Sequence, residues 1–357
     1  MTGRKLRISV TGTGWWATYT HLPALVARTD AEVVALCDRD PKRLGRSAEA
    51  FDIATTYTDF RAMLHEQTLD GVVVATAQPA HFEIAKAALE AGCHVLCEKP
   101  MVLTTDHAKE LAELAACRKR AIVMSYPWNH NPHVLRAQKA VGTGELGQVQ
   151  LVSSLFGSSA YESYRGNLDA YEGALETPVV ESLVETNTAL DRGGGQGYIQ
   201  VTHSAALAFW VTGLQPYLVT AHMNHLDTAV DVIDAINVRL DNGAIGVLAS
   251  TGNLRPGDSG QHTLSVYCSE GYLLLDMNAG TLMIRKHDGT VESPPPVPAE
   301  DRYPRFAPAN NFIDVILGKA KNLAPGETVG RTTVNFLDAA YRSAADGGKP
   351  VTPADLN

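Results

Sequence analysis

Short apolar runs rich in β-branched residues alternate with helix-length segments over the first third of the chain. The segment from His81 to Gly92 aligns Ile84, Ala88 and Ala91 on one face and closes on a glycine, as an amphipathic helix does. Strands that alternate with helices form a parallel sheet with right-handed crossovers. The pattern therefore predicts an α/β unit with a doubly wound parallel sheet, built on LRISV, EVVALC, GVVVAT, HVLC and AIVMS.

The pattern changes after Tyr126, where longer strand-like runs follow one another closely. Turn sequences separate several of them, among them Asp241-Asn242-Gly243 and Ser269-Glu270-Gly271. Tight turns between alternating runs are typical of hairpins and hence of an antiparallel sheet. A chain of 357 residues is long enough for two cores. We therefore expect the α/β unit to be residues 1–125, and residues 126–357 to form an α+β unit with a mainly antiparallel sheet.

A glycine-rich turn follows the first predicted strand. Gly12, Gly14 and Ala17 form a GxGxxA motif, with Thr13, Trp15 and Trp16 between them. The first glycine permits a tight turn, and the second lets the backbone approach a pyrophosphate at the start of the following helix. An acid, Asp38, ends the second strand, where it would accept hydrogen bonds from a ribose. Strand, turn, helix and acid together predict a Rossmann domain that binds a nicotinamide dinucleotide.

Asp38 also bears on which dinucleotide is bound. Its charge would repel a 2′-phosphate, so NAD is favoured over NADP. Arg39 follows it directly and could stack on adenine or reach a phosphate, which keeps NADP open as the less favoured cofactor.

The charge of the chain limits its partners. The formal net charge is -9 and the sequence holds no basic run, so nucleic acid and anionic membrane surfaces would be repelled. The N-terminal apolar stretch is too short for a signal peptide, and the run at 205–211 is too short to span a bilayer. The spacing of His222, His225, Asp227 and Asp231 does not indicate a metal site. We expect a cytoplasmic protein that acts on a small molecule.

Residues 72–100, VVVATAQPAHFEIAKAALEAGCHVLCEKP, resemble the stretch of the glucose-fructose oxidoreductase, inositol dehydrogenase and MocA family that ends in its Glu-Lys-Pro signature. The resemblance extends over nearly the whole chain. It implies a Rossmann domain followed by a large open antiparallel sheet, through which relatives often form oligomers. It also implies a carbohydrate substrate, a homo-oligomer (dimer or tetramer), and cofactor contacts from Thr76, His81, Glu98 and Lys99.

Lys99 is the first predicted catalytic residue. It lies just beyond the carboxyl end of a parallel strand, the edge at which open α/β sheets bind ligands. A lysine partly removed from water there has a lowered pKa and could take the proton of a substrate hydroxyl as hydride leaves for the nicotinamide.

The family's second landmark is a glycine run followed by an aspartate and, four residues later, a histidine. Here GGGQGYIQVTH supplies the histidine as His203, the second predicted catalytic residue, but Ile199 stands at the aspartate position. Isoleucine cannot orient an imidazole. We therefore expect Gln196 or Gln200 to replace the aspartate, with Tyr198 as a further substrate contact.

Other substrate contacts are expected from two segments. The run at 126–132, YPWNHNP, lacks the asparagine and arginine that many relatives have there, but Trp128, Asn129 and His130 remain candidates. Tyr164 and Arg165, in SAYESYRGN, could offer an aromatic surface with polar ends on which a sugar ring stacks. An ordinary loop or an oligomer contact is the alternative interpretation of that segment.

Three functions are compatible with the sequence. The first is NAD-dependent oxidation of a secondary hydroxyl of a sugar, polyol or glycoside, with Lys99 and His203 handling the proton. The second, suggested by Ile199, is an NAD-retaining glycoside hydrolase that works by oxidation, elimination, hydration and reduction. Arg165, His130 and His133 would then suit an anionic glycoside such as a sulfoquinovoside. The third is a non-catalytic NAD-binding regulator.

Overall fold

The apolar runs of the first third form parallel strands in the computed structural model, which describes residues 4–171 and 184–353. These strands are β1 (Leu6–Thr11), β2 (Ala31–Cys37), β3 (Thr56–Tyr57), β4 (Gly71–Val74), β5 (His94–Cys97) and β6 (Ile122–Met124). Their order in the sheet is β3-β2-β1-β4-β5-β6, the arrangement of a Rossmann sheet. The predicted doubly wound parallel sheet is confirmed.

The described residues also form α-helices. They are α1 (Leu22–Val26), α2 (Pro41–Phe51), α3 (Phe60–Glu66), α4 (His81–Glu90), α5 (Thr105–Arg118), α6 (Pro132–Gly142), α7 (Tyr161–Tyr164), α8 (Val184–Asn187), α9 (Thr202–Thr212), α10 (Ala307–Ile316) and α11 (Arg331–Ala345). Within the described ranges, no helix is long and apolar enough to cross a membrane.

Helix α10 contributes to the core of the first unit although it comes late in the chain. Its residues Phe312 and Ile313 are buried in the same cluster as Ile8 and Leu96. The contact is close, because a Cβ at Gly71 of β4 would lie 2.6 Å from the Phe312 ring. The segment Arg305–Gly330 therefore belongs to the first unit, whereas the boundary drawn from the sequence gave it to the second domain.

The second unit is built on a larger sheet. Its strands are β7 (Val149–Gly157), β8 (Pro216–Asn224), β9 (Ile233–Leu240), β10 (Ile245–Thr251), β11 (Gln261–Cys268), β12 (Gly271–Asp276), β13 (Thr281–Lys286) and β14 (Val291–Glu292). They lie in the order β14-β13-β12-β11-β7-β10-β9-β8, and every pair is antiparallel except β7 with β10. The predicted mainly antiparallel sheet is confirmed, with the expected turns between β9 and β10 and between β11 and β12.

One face of this sheet is covered by helices. Helix α9 packs against α6, α11 and β7, and it is buried along almost its whole length. A π-helical turn, Gly197–Val201, leads directly into it. This arrangement fixes the backbone of His203 in the first turn of α9.

Candidate functional site

The glycine-rich turn leaves β1 in a conformation that favours glycine. Gly12 has a φ of +88°, and a Cβ there would lie 2.5 Å from the carbonyl of Ala75. Around Gly14, by contrast, no described atom comes within 4 Å of such a Cβ. The chain then continues as a helix over residues 15–26. A tight backbone crossing with open space beside the second glycine is what a pyrophosphate requires.

Asp38 is held at the end of β2 by this turn. Its Oδ2 accepts hydrogen bonds from the Thr13 amide (2.8 Å) and the Thr13 hydroxyl (3.1 Å), and its Oδ1 accepts one from the Asp40 amide (2.9 Å). Arg43 Nε lies 3.2 Å from Oδ2, and Arg39 is exposed. A carboxylate oxygen has two lone pairs, so Oδ1 can accept a further donor such as a ribose hydroxyl.

Among the described residues, the buried polar atoms of this region that have no hydrogen-bond partner include Thr76 Oγ1 and Trp15 Nε1. Thr76 follows β4 next to Gly12, since its amide nitrogen would lie 2.6 Å from a Cβ at Gly12. Buried polar atoms are normally paired. Together with the space at Gly14, they show that the residues present fit a bound dinucleotide.

Glu98 and Lys99 follow β5 at the carboxyl edge of the parallel sheet. The Lys99 amide donates to Glu98 Oε2 (3.1 Å), and His21 Nε2 lies 2.8 Å from Glu98 Oε1. The peptide bond between Lys99 and Pro100 is cis. Burial lowers the pKa of Lys99, although the charge of Glu98 raises it in part. A lysine in this state is suited to accept a proton.

His81, at the start of α4, is completely buried. Its Nδ1 lies 2.9 Å from the carbonyl of Pro100, and its Nε2 lies 3.0 Å from the carbonyl of Thr76. Burial lowers the pKa of His81. A neutral imidazole has one N–H, so only one of these two carbonyls accepts a hydrogen bond from the ring. His81 lies between the end of β4 and the Glu-Lys-Pro loop, and its expected cofactor contact stays a prediction.

In the second unit, His203 is almost fully buried among aromatic rings. Its ring centroid lies 5.1 Å from that of Trp128 and 5.9 Å from that of Tyr126, both edge-on. The Tyr126 hydroxyl hydrogen-bonds with the hydroxyl of Thr202, the neighbour of His203 (3.0 Å). Trp128 also contacts Tyr303, with centroids 4.6 Å apart. Two of the predicted site residues, Trp128 and His203, are therefore in contact.

His262, which the sequence did not single out, belongs to the same cluster. Its ring lies 4.5 Å from that of Trp128, and its Nε2 lies 3.4 Å from the Ser204 hydroxyl. Burial lowers its pKa to about 3, so the imidazole is neutral at physiological pH. A signal was present: in β11, His262 occupies the same inward face as Leu264 and Val266.

The proposed substitutes for the missing aspartate are placed differently. Gln196 is fully buried: its Oε1 accepts from the Tyr164 hydroxyl (2.7 Å) and its Nε2 donates to the Ser250 hydroxyl (2.6 Å). Its amide is committed within the unit, so it does not fit the expected role of orienting His203. Gln200 is half-buried and stays a candidate.

Two predicted aromatic contacts lie in the interior. Tyr164 is 2% exposed and packs with Val230 and Val232, and Ile199 packs against this cluster. Because it is buried, Tyr164 does not form the aromatic surface on which a sugar ring was expected to stack. Tyr198 is also buried, with its ring 4.5 Å from that of Tyr341.

The remaining polar candidates offer little positive charge. Asn129 is buried, and burial lowers the pKa of His130 to about 4, so that His130 is neutral at physiological pH. Arg165 is exposed and lies 3.3 Å from Glu162 and 3.4 Å from Asp227. These placements do not fit the cationic contacts that an anionic glycoside would need.

Known proteins resemble this chain over both units. Residues 6–126 match a family model described as an oxidoreductase family with an NAD-binding Rossmann fold, and residues 134–274 match the GFO/IDH/MocA C-terminal domain. Among curated proteins, D-glucoside 3-dehydrogenase of Escherichia coli (strain K12) is 35% identical over 158 residues, which cover 43% of this chain and 44% of that protein. The chain thus spans less than half the length of this relative.

Solved structures match nearly the whole chain. GenD2 from gentamicin A biosynthesis, in complex with NAD, has a TM-score of 0.77 at 25% identity and covers 99% of this chain and 97% of its own. An inositol dehydrogenase homolog from Azotobacter vinelandii, complexed with NADH and myo-inositol, has a TM-score of 0.77 at 18% identity, with 98% of each chain covered, and shares the fold. The chain belongs to the GFO/IDH/MocA family of oxidoreductases, and its first unit is the family's NAD-binding Rossmann domain.

Proposed function

We propose that this protein is an NAD-dependent dehydrogenase that oxidises a secondary hydroxyl of a sugar, polyol or glycoside. The observation that carries the proposal is the state of Lys99. It lies in the family's Glu-Lys-Pro signature at the ligand-binding edge of the sheet, and burial lowers its pKa. A lysine with these properties is a general base for a hydroxyl proton.

The reaction divides into a proton and a hydride. Bound NAD supplies the hydride acceptor, the fourth carbon of its nicotinamide ring. Lys99 Nζ accepts the proton of the substrate hydroxyl. The hydrogen on the carbon that bears this hydroxyl leaves as hydride, so that the alcohol becomes a ketone. We assign His203 a share in handling this proton, and Trp128, which contacts His203, the role of an apolar surface for the sugar.

The relatives support a carbohydrate substrate. The curated E. coli protein is named for oxidation of a D-glucoside at position 3, which is a secondary hydroxyl. A neutral glycoside also suits the chemistry of the second unit, where His130 and His262 are uncharged at physiological pH.

The test is to incubate the protein with NAD and a panel of sugars, polyols and glycosides and to follow the absorbance band of reduced nicotinamide. We expect NADH to accumulate with at least one neutral glycoside. Lys99→Ala should abolish turnover and leave NAD affinity largely unchanged, because the glycine turn and Asp38 are intact. The matched control is Lys109→Ala, which removes an exposed lysine of α5 and should keep full activity. Full turnover by Lys99→Ala would overturn the assignment.

We further propose that copies of this chain associate through the outer face of the second sheet. This face exposes neighbouring apolar side chains of β7, β10 and β11: Leu151, Leu155, Ile245, Val247 and Tyr267. Leu151 pairs with both Ile245 and Tyr267 in the strand register, so these residues form one continuous row. Contiguous exposed apolar surface is typical of an association site.

A further inference from the structure

The Glu98 carboxylate has a buried partner besides Lys99. His21 Nε2 lies 2.8 Å from Glu98 Oε1, and the side chains of His21 and Glu98 are only 1% and 10% exposed. His21 ends the π-helical turn Ala17–His21, within the helix that starts at the glycine motif. The pair therefore connects the helix of the nucleotide-binding turn to the loop that carries the proposed base.

Other polar groups also face Glu98. The Ser125 hydroxyl hydrogen-bonds to it, and with His21 and Lys99 it outweighs the effect of burial, so that the pKa of Glu98 lies below its ordinary value. The charge of Glu98 also reaches Cys97 and His81, but burial keeps the Cys97 thiol and the His81 imidazole neutral. Of these neighbours, His21 and Lys99 are the basic side chains, and both act to lower the pKa of Glu98.

His21 and Lys99 both act on the Glu98 carboxylate, so the contribution of one affects the charge state of the other. A buried carboxylate is stable only with hydrogen-bond or ionic partners. Where a lysine is its main partner, the pair is held as carboxylate and ammonium, and an ammonium cannot accept a proton. In this protein the Lys99 backbone amide donates to Glu98 Oε2, and the charge of Glu98 acts on the Lys99 side chain. A donor on Oε1 reduces the demand of the carboxylate on that side chain.

We propose that His21 is a positioning residue for Lys99: its hydrogen bond to Glu98 Oε1 supplies the buried carboxylate with a partner, so that Lys99 is left able to accept the substrate proton. The inference rests on the proposed function of Lys99 as the proton acceptor. His21 acts through Glu98 and makes no contact with the substrate in this account.

The direction of the effect follows from electrostatics. Without His21, the charge of Glu98 acts more strongly on Lys99, and an opposite charge raises the pKa of an amine. His21→Phe should therefore raise the pKa of Lys99 by about one unit and move the acid limb of the kcat/KM profile to higher pH by the same amount. His21→Gln retains an N–H donor and should behave nearly as the wild type. Glu98→Gln removes the charge and should lower the pKa of Lys99.

The experiment is a pH titration of the NAD-saturated protein by NMR, with ¹³C-labelled lysine and the Lys99 ε-carbon signal assigned from its loss in Lys99→Arg. We expect the pKa of Lys99 to rise in His21→Phe, to change little in His21→Gln, and to fall in Glu98→Gln. In the Glu98→Gln background, His21→Phe should have no further effect. If His21→Phe does not fold, as judged by circular dichroism, His21→Leu takes its place.

An unchanged or lowered pKa of Lys99 in the His21 variant would overturn the inference. An upward shift that persists in the Glu98→Gln background would do so too, because the effect would not then pass through Glu98. Failure of the proposed function is distinguishable, since it is seen as full turnover by Lys99→Ala whatever the NMR titration shows.

Discussion

Asp38 holds the glycine turn and still has capacity for a ligand. Thr13 donates twice to its Oδ2, and the Asp40 amide donates once to its Oδ1. Asp38→Ala removes the predicted ribose acceptor, and a hydrogen bond to a charged group is worth about 1.5–3 kcal/mol. We expect NAD affinity to fall roughly 10- to 100-fold. NADP affinity should fall less, because the charge that repels a 2′-phosphate is also lost.

Calorimetric titration of both cofactors tests this prediction. Asp40→Ala is the control, because Asp40 caps α2 through the amides of Lys42 and Arg43 and its loss should leave the ratio of the two affinities unchanged. Equal losses of NAD and NADP affinity in Asp38→Ala would contradict the assignment of Asp38 to cofactor selection.

A second residue-scale prediction concerns stability. Asp231 and Asp234 are both buried; the Gly197 amide and the Tyr341 hydroxyl donate to Asp231 at 2.6 and 2.9 Å. Burial raises the pKa of Asp234 well above its ordinary value, and the charge of Asp231 raises it further. The folded protein therefore holds a proton on Asp234 that the unfolded chain releases at lower pH.

The sign of the pH dependence follows from linkage. A carboxyl with a higher pKa in the folded state stabilises less as pH rises from its unfolded pKa towards its folded pKa. Asp234→Asn should raise the free energy of unfolding by on the order of 1 kcal/mol at about pH 8, and flatten its decline above about pH 5. Urea denaturation across this range measures both effects, with the exposed Asp241→Asn as control. If Asp234→Asn does not raise the free energy of unfolding at about pH 8, then the Asp234 carboxyl does not destabilise the fold there, and the prediction is wrong.

Individual residues differ in how far the sequence could predict them. Motif context predicted that Asp38 and Lys99 lie just beyond the ends of β2 and β5, where the structure has them, and their roles stay predictions. Helical spacing from His203 made Gln196 a candidate, but spacing does not reveal the Tyr164 and Ser250 hydroxyls that bind its amide. The partner of Glu98, His21, is 77 residues away in sequence, and no local pattern connects the two.

At the scale of elements, the glycine turn gives a matched pair of substitutions. Gly12→Ala places a Cβ 2.5 Å from Ala75 backbone atoms at a φ of +88°, so it should destabilise the fold and weaken NAD binding together. Gly14→Ala meets no described atom within 4 Å, so it should leave the melting temperature nearly unchanged and weaken NAD binding alone. Thermal melts with and without NAD separate these effects. Normal NAD affinity in Gly14→Ala would contradict the placement of the pyrophosphate at this turn.

The elements themselves were largely predictable. Strands and hairpins follow from alternation and turn sequences, and both sheets formed as expected. The π-helical turns Ala17–His21 and Gly197–Val201 were not predictable, because one extra residue in a helix leaves little trace in apolar spacing. Helix α10 was assigned to the wrong unit for a related reason: periodicity shows that a helix has an apolar face but not which core covers it.

At the scale of the whole molecule, the outer face of the second sheet predicts association. Ile245 is 55% exposed within an apolar row, so Ile245→Lys should shift the protein to a smaller species in sedimentation velocity. The control is Val26→Lys, because Val26 is also an exposed apolar residue (48%) but belongs to the first unit. This substitution should leave the sedimenting species the same as in the wild type. A wild-type protein that sediments as a monomer at every concentration would refute this role of the face.

The central claim is net oxidation of a neutral carbohydrate with Lys99 as the base. The measurement that tests it most directly is the stoichiometry of NADH and released aglycone with a chromogenic neutral glycoside, for the wild type and Lys99→Ala. We predict one NADH for each sugar oxidised, no aglycone release, and no NADH from Lys99→Ala. Aglycone released without net NADH, with solvent deuterium on the carbon that lost its proton, would contradict it and identify an NAD-retaining hydrolase. Tight NAD binding without turnover of any member of a broad glycoside panel would favour a regulator instead.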